Sequence, residues 1–455
     1  MPRGPRNLRI ACDGKGLTRF GGVALLQAFF QQLGVRGQLQ RWVRFPQRNN
    51  AYSISETVEA LLYPLILGLG RVETTEPLRR NGVFQYLAGL PRYPEASTLR
   101  RFLRRLAWMG HTKLMALHDA WRQEMLARPQ LQRTMVLDLD GTVLTVYGRQ
   151  EGAKIGFNPK KRGRPSYLSL LCFEGQTADV WAGSYHPGNT HVSSVVQPLL
   201  RKALSRLPDD VKHIRVRADA AFFDHKFFDF LQEKEVFYVI AARITKGFRL
   251  RLGGLNYRPV SQGVWAAEFR HRPKRSDRTT YRFVVIRRPV PEEPSAQLHL
   301  FQIGGYIYQL FVTNLNLTAL NLWRFYNQRA TAELIIRELK DAYALGKIPT
   351  QDFAANEMYF QLALLAYNLL NWFKRLCVPP RWQRATLQRL RQQFLVVPAQ
   401  LVRPAGVPIL RIAPSQVHTD EFLDILRRIQ STKPFSNSQQ RSRTASRQAS
   451  RTQRK

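Results

Sequence analysis

The stretch Met135-Val-Leu-Asp138-Leu-Asp140-Gly-Thr-Val-Leu-Thr-Val-Tyr147 decides the fold. Its apolar residues predict strands over Met135–Leu139 and Val143–Tyr147. A strand turns alternate side chains to opposite faces, so Asp138 and Asp140 share one face and the leucines take the other. A second stretch, Ile214-Arg-Val-Arg-Ala-Asp219, predicts a strand closed by Asp219 immediately before the small residues Ala220 and Ala221. Carboxylates at the ends of neighbouring core strands can share divalent cations, and magnesium prefers such hard oxygen ligands. A plainer account stays open: Asp138 or Asp140 starts a turn with Gly141, and Asp219 caps the next helix.

Outward from the first stretch, strands are predicted at Tyr167–Phe173 and Val180–Ser184. A helix at Val192–Ser205 follows, then a strand at Ile214–Ala218, a helix at Asp224–Glu233 and a strand at Phe237–Ala241. Three antiparallel strands followed by alternating helix and strand give the order of an RNase H-like α/β core. Before the core, helices are predicted at Val23–Leu33, Ile54–Gly70, Thr98–Met109 and Thr112–Leu126. Beyond it, residues 244–314 read as a small inserted sheet with basic tracts such as Arg270-His-Arg-Pro-Lys-Arg275, and long helices follow at Leu320–Tyr343 and Phe353–Leu376. The expected division is a helical N-terminal region (1–133), a core in two parts (134–243 and 315–378) around a β-rich insertion (244–314), a helical appendage (379–434) and a disordered basic tail (435–455).

The charge names the class of partner. Seventy Lys and Arg against 32 Asp and Glu leave +38 on 455 residues, while 44% hydrophobic residues suffice for a large core. Such a surplus repels itself and calls for a polyanion, and nucleic acid gains further from counterion release. The longest apolar run, Val58–Leu69, is too short to span a bilayer and contains Pro64. The start of the chain lacks a signal-peptide core. Cys12, Cys172 and Cys377 are scattered and suit neither a disulfide framework nor zinc. The expected location is the cytoplasm. Within the N-terminal region, Leu99, Phe102, Leu103 and Leu106 form an apolar helical stripe that leaves Arg100, Arg101, Arg104 and Arg105 outside it, as in a helix-turn-helix half lying on DNA.

In Tyr326-Asn-Gln-Arg329-Ala-Thr-Ala-Glu333-Leu-Ile-Ile-Arg337-Glu-Leu-Lys340, one carboxylate is spaced at helical intervals among three cations and a phenol. On a continuous helix the five residues occupy a stripe about 80° wide. Ala332, Ile335, Ile336 and Leu339 form a separate apolar stripe. An i,i+4 salt-bridged surface would account for Glu333 with Arg329 and Arg337. Three cations about one acid suit instead a metal ligand flanked by phosphate clamps.

The spacing Tyr-x2-Arg-x3-Glu-x6-Lys, met by Tyr326, Arg329, Glu333 and Lys340, is the signature of one branch of bacterial insertion-sequence transposases of the DDE type. With Asp138–Gly148, Gly156–Tyr167, Pro187-Gly-Asn-Thr190 and Arg217–Phe222, the chain resembles the group 1 subfamily from about residue 10 to 375. The resemblance implies catalytic, metal-binding Asp140, Asp219 and Glu333, with Asp138 a competitor for the first position. Asp219 follows Asp140 by 79 residues, and Glu333 lies 114 further on, a gap that fits the branch's β-rich insertion. It implies two Mg²⁺ ions, with Mn²⁺ as a substitute, and DNA contacts from Tyr326, Arg329, Lys340 and Arg337. It implies cut-and-paste cleavage and strand transfer at terminal inverted repeats through hairpin ends, by a synaptic homodimer. A bacterial location, in association with the nucleoid, is implied as well. An aromatic of the insertion would stack a flipped base, with Trp265, Tyr306 and Tyr308 as candidates. The chain departs from many relatives in having Ala220-Ala221 for Ser-Gly and Gly141 for Ser.

Other motifs carry less. Arg162-Gly-Arg164-Pro165 has the core of an AT-hook but lies between predicted strands, so a basic hairpin loop near DNA is expected. His186 and His191 lack a third ligand at zinc spacing. Asp13-Gly14-x-Gly16 is followed by no Lys-Ser/Thr, so no nucleotide is expected. Two other functions would use the same composition: a catalytically inactive, transposase-derived DNA-binding protein, and a structure-specific nuclease on this fold.

Overall fold

Residues Thr134–Thr145 form one unbroken strand, β1, rather than two strands around a turn at Gly141. Backbone pairing carries it through: β2 (Pro165–Glu174) runs antiparallel along it, with Asp140 opposite Leu171 and Gly141 opposite Leu170. Antiparallel β3 (Val180–Pro187) lies beyond β2. On the other side β4 (His213–Ala218) runs parallel to β1, placing Arg217 opposite Asp138, and β5 (Phe237–Ala241) runs parallel to β4. The order β3-β2-β1-β4-β5, antiparallel on one side and parallel on the other, is the RNase H-like arrangement read from the sequence. Helices α1 (Val192–Leu204) and α2 (His225–Glu233) make the parallel connections, and their apolar sides join one core with Leu137, Leu139, Leu170, Trp181 and Val216.

The computed structural model describes residues 12–47, 51–127, 134–272, 279–290, 302–413 and 419–436. Most of the tail expected to be disordered, and part of the basic tract after Arg270, lie outside the described residues. Among the described residues the chain forms two compact units, Asp119–Asp341 with Thr350–Phe353, and the remainder. No described helix is long and apolar enough to cross a membrane.

In the first unit the inserted strands do not make a small sheet of their own. They are β6 (Arg258–Ser261), β7 (Val264–His271), β8 (Tyr281–Pro289) and β9 (Tyr306–Thr313). β9 pairs antiparallel with β5 through Val239, Ile240 and Ala241, so the core sheet continues β5-β9-β8-β7-β6. The physical reason lies in β5, whose free edge would otherwise present unpaired amides and carbonyls. Two helices follow, α3 (Ala319–Asn327) and α4 (Ala330–Asp341), where the sequence predicted one.

The second unit gathers both flanks of the chain. Helix Ile54–Leu67 opens with a Ser53/Glu56 capping box and closes at Gly68, whose φ of 81° suits glycine. The apolar helix Phe353–Cys377 enters this unit from Ala354 and is buried along most of its length, as its composition predicts. The region after Pro379 is not simply a helical appendage. Strands Ala399–Val402 and Ile409–Ile412 form a hairpin, and Leu17–Thr18 pairs with the first of them. Helix Thr419–Ser431 leads back to helix Val23–Leu33, where Gln32 Nε2 donates to the Thr432 carbonyl at 2.6 Å and the Phe435 amide to the Leu33 carbonyl at 3.2 Å. Alternation over four-residue strands is too short a signal to separate from the surrounding helical pattern.

Candidate active site

β1 delivers Asp138 and Asp140 to one face, but to different surroundings. Asp138 is 1% exposed and is gripped by Arg217, its register partner on β4. Arg217 Nε donates to Oδ1 at 2.6 Å and Nη2 to Oδ2 at 2.7 Å, so both carboxylate oxygens are engaged. The remaining nitrogen, Nη1, donates to the Phe325 carbonyl at 2.8 Å and to Gln328 Oε1 at 3.1 Å, while the Phe325 ring lies 4.9 Å from the guanidinium carbon.

That contact accounts for the break between α3 and α4. In a continuous helix the Arg329 amide would bond the Phe325 carbonyl. Here it bonds Tyr326 at 3.0 Å, three residues back, and the released Phe325 carbonyl goes to Arg217. The turn at Gln328–Arg329 therefore interrupts the predicted continuous charged stripe. Arg329 is buried, Tyr326 and Lys340 are half-buried, and Glu333 and Arg337 are exposed.

Asp140 is the carboxylate that Arg329 reaches. Its Oδ1 accepts from the Gly141 amide at 2.7 Å and its Oδ2 from Arg329 Nη1 at 3.1 Å. The other terminal nitrogen of Arg329 donates to Glu333 Oε1 at 2.8 Å, so one guanidinium joins the strand acid to the helix acid. Asp219, half-buried after β4, accepts the Ala221 amide on Oδ1 at 2.9 Å and caps the short turn Ala220–Phe222. Burial pushes the Asp140 carboxyl up to about 6; Arg329 opposes this, and the nearby negative charges of Asp219 and Glu333 add to it. Burial also raises Asp219, again against Arg329. For Arg329, burial works against the charge, but Tyr326, Asp140, Asp219 and Glu333 outweigh it and hold the guanidinium firmly protonated.

The other signature residues surround this group. The Tyr326 ring packs 4.6 Å from that of Phe311, and burial raises its phenol. Lys340 Nζ donates to the Val143 carbonyl at 3.1 Å, and burial followed by repulsion from Lys160 depresses its ammonium. On the insertion, Tyr308 is 4% exposed and belongs to the core, whereas Trp265 and Tyr306 are half-exposed, 5.9 Å apart, with Arg287 against both rings. His191 caps α1 and His186 is half-buried on β3.

In the second unit, helix Ala96–Arg105 buries Leu99, Phe102 and Leu103, and the π-turn that follows buries Leu106, as the periodicity predicts. Its four arginines are not equivalent. Arg100 donates to the Pro349 carbonyl at 3.1 Å and pairs with Glu73, and Arg105 donates to the Pro46 carbonyl. Arg101 and Arg104 are exposed.

Among the described residues no three acids, histidines or cysteines stand close enough, as placed, to hold one ion. The donor chemistry nevertheless fits a hard divalent cation. Asp140, Asp219 and Glu333 all act on one positive group, the Arg329 guanidinium, and Glu333, at 59% side-chain exposure, sits on a long mobile side chain. Asp138 offers no such freedom, since Arg217 occupies it.

The family model described as "Transposase DDE domain group 1" matches residues 2–434. The chain belongs to this family. It is a DNA transposase, an enzyme of DNA cleavage and strand transfer. No curated protein matches it. Among solved structures, a cryo-EM structure of the piggyBac transposase synaptic complex with hairpin DNA superposes with a TM-score of 0.43, at 11% identity, covering 81% of this chain and 79% of that one. The sequence does not mark Arg217 as the partner of Asp138, because that pairing depends on the register of β1 with β4.

Proposed function

We propose that this transposase cuts its element from donor DNA at terminal inverted repeats and joins it to a target, through hairpin ends, with Asp140, Asp219 and Glu333 as the catalytic carboxylates. The observation that carries this reading is the Arg329 guanidinium bonded to both Asp140 and Glu333, which ties the signature helix to the central strand beside Asp219. Asp140, Asp219 and Glu333 would hold Mg²⁺, or Mn²⁺ in its place. Bound there, divalent ions supply a water or 3′-hydroxyl of raised nucleophilicity and charge stabilisation for the leaving oxygen. Asp138 is assigned to the Arg217 ion pair instead of to the ions.

The chain's own groups do the positioning. Arg329 keeps the acids gathered despite their mutual repulsion. Tyr326, Lys340 and Arg337 lie along the same α3–α4 segment and would hold the phosphates of the cleaved end. Of the insertion's aromatics, the half-exposed Trp265 and Tyr306 can offer a ring to a displaced base, whereas core-bound Tyr308 cannot. Exposed Arg101 and Arg104 would contact the end DNA. A homodimeric synaptic complex completes the proposal.

The experiment is to incubate labelled DNA carrying the gene's flanking ends with the protein and Mg²⁺. The expected products are a 3′-hydroxyl nick followed by a hairpinned end. Nicks whose 3′-hydroxyls never close on the opposite strand would refute the hairpin route, and binding without any cutting would favour the inactive DNA-binding protein.

A further inference from the structure

Between β1 and β2 the chain makes a loop, residues 147–164, that the placement of the acids leaves unused. It carries six cations, Arg149, Lys154, Lys160, Lys161, Arg162 and Arg164, against one acid, Glu151, whose Oε2 accepts the Phe353 amide at 3.0 Å. All six cations are exposed. So are two aromatic rings, Phe157 at 80% and Tyr147 at 72%. Aromatic rings set among cations are the combination that holds single-stranded nucleic acid, the cations on its backbone and the rings on its bases.

The loop is built to hold Phe157 outward, and the Arg164 guanidinium lies 5.9 Å from the Tyr147 ring. Asn158 is 5% exposed, donates from Nδ2 to Thr145 Oγ1 at 3.0 Å, and accepts the Lys161 amide on Oδ1 at 3.1 Å. Gly156 lies so close to the Pro187–Thr190 turn that a Cβ would stand 1.9 Å from the Gly188 carbonyl oxygen. The neighbour of Phe157 is thus anchored on each side. The loop also lies beside the signature segment: Asn158 of the loop bonds Thr145 and Lys340 bonds the Val143 carbonyl, two residues apart at the end of β1.

Cations alone would suit any phosphate backbone, but exposed rings add a preference. Bases in an intact duplex hide their faces against one another, whereas unpaired bases offer theirs to aromatic side chains. We propose that the 147–164 loop is a single-strand grip, whose cations hold a DNA backbone while Phe157 and Tyr147 stack on unpaired bases next to the catalytic acids. This rests on the assignment of Asp140, Asp219 and Glu333 above.

The test compares binding of a short oligo-dT strand and of a blunt duplex of equal length by the full-length protein. Phe157→Ala with Tyr147→Ala should weaken oligo-dT binding about thirtyfold, the lower end of the range for losing two base stacks, with the salt slope and duplex affinity unchanged. Phe157→Trp should retain affinity, and its added fluorescence over the parent should be quenched by oligo-dT and not by duplex. Lys160→Gln with Lys161→Gln should weaken both ligands and flatten the salt slope. Unchanged oligo-dT affinity in the alanine variant, equal losses on both ligands, or an unquenched Phe157→Trp signal would overturn the proposal. The failures are separable: a parent that cuts its ends but shows no stacking refutes the grip alone, and a stacking protein that never cuts refutes the catalytic assignment alone.

Discussion

Removing Arg217 tests whether its pair with Asp138 is structural, and the expected cost follows from burial. Both residues are 1% exposed, and Arg217 engages both carboxylate oxygens of Asp138. Arg217→Met leaves a charged group in the core without compensation, which costs about 3–5 kcal/mol. A typical domain has only about 5–15 kcal/mol in total. Replacing both members, Asp138→Leu with Arg217→Met, removes the stranded charge and should return stability to within about 1–2 kcal/mol of the parent. Catalysis should not return with it. Without Arg217 the Phe325 carbonyl is free to bond the Arg329 amide, the break between α3 and α4 loses its cause, and Arg329 loses its hold on Asp140. The double variant should therefore cleave DNA ends at least tenfold more slowly, at a rate unaffected by stabilising conditions. Urea unfolding read at constant m-value and single-turnover cleavage make the two measurements. If the single variant is as stable as the double, the pair is not what we describe. If the double variant cuts at the parental rate, the helix break does not position Arg329.

Other outcomes follow from the same contacts. Glu333→Gln should abolish cleavage while leaving end binding intact, because the amide keeps the bulk and loses the charge; filter binding and cleavage on the same DNA separate the two. Asp140 should give a pH signature: a carboxyl raised to about 6 keeps its proton in the folded state after the unfolded state has lost it, so the metal-free protein loses stability as pH rises from about 4 to 6. The full shift corresponds to about 3 kcal/mol, and Asp140→Asn should flatten that limb in a melting series. Added Mg²⁺ should stabilise the protein more at pH 8 than at pH 5, because protons compete for the same oxygens. Arg101→Ala with Arg104→Ala should weaken DNA binding and reduce the salt slope by about 2, close to one unit per lost phosphate contact. Arg100→Ala should instead lower the melting temperature, through its bonds to Pro349 and Glu73.

The core was legible because its signals are periodic and local. Alternation around Asp138 and Asp140, and the succession of strands and helices to Ala241, follow from side chains that must face one interior. The contribution of Tyr326, Arg329, Glu333 and Lys340 was legible as a spacing, but not as a geometry. A helical wheel assumes an unbroken helix, and the break at Gln328–Arg329 depends on Arg217, more than a hundred residues away in sequence. For the same reason the choice between Asp138 and Asp140 stayed open in the sequence: both share a face, and only the parallel register with β4 shows which one meets Arg217. The inserted strands were recognised, but their junction with β5 was not, because edge pairing leaves no local mark. Likewise the arginines of helix Ala96–Arg105 look alike until Pro46, Glu73 and Pro349 claim two of them.

The most direct measurement is cleavage of labelled end DNA by the parent and by Asp140→Asn, with and without Mg²⁺, with binding followed on the same DNA. The parent should cut only with metal, Asp140→Asn should not cut, and both should bind equally. Metal-dependent cutting that survives in Asp140→Asn would contradict the catalytic role of Asp140.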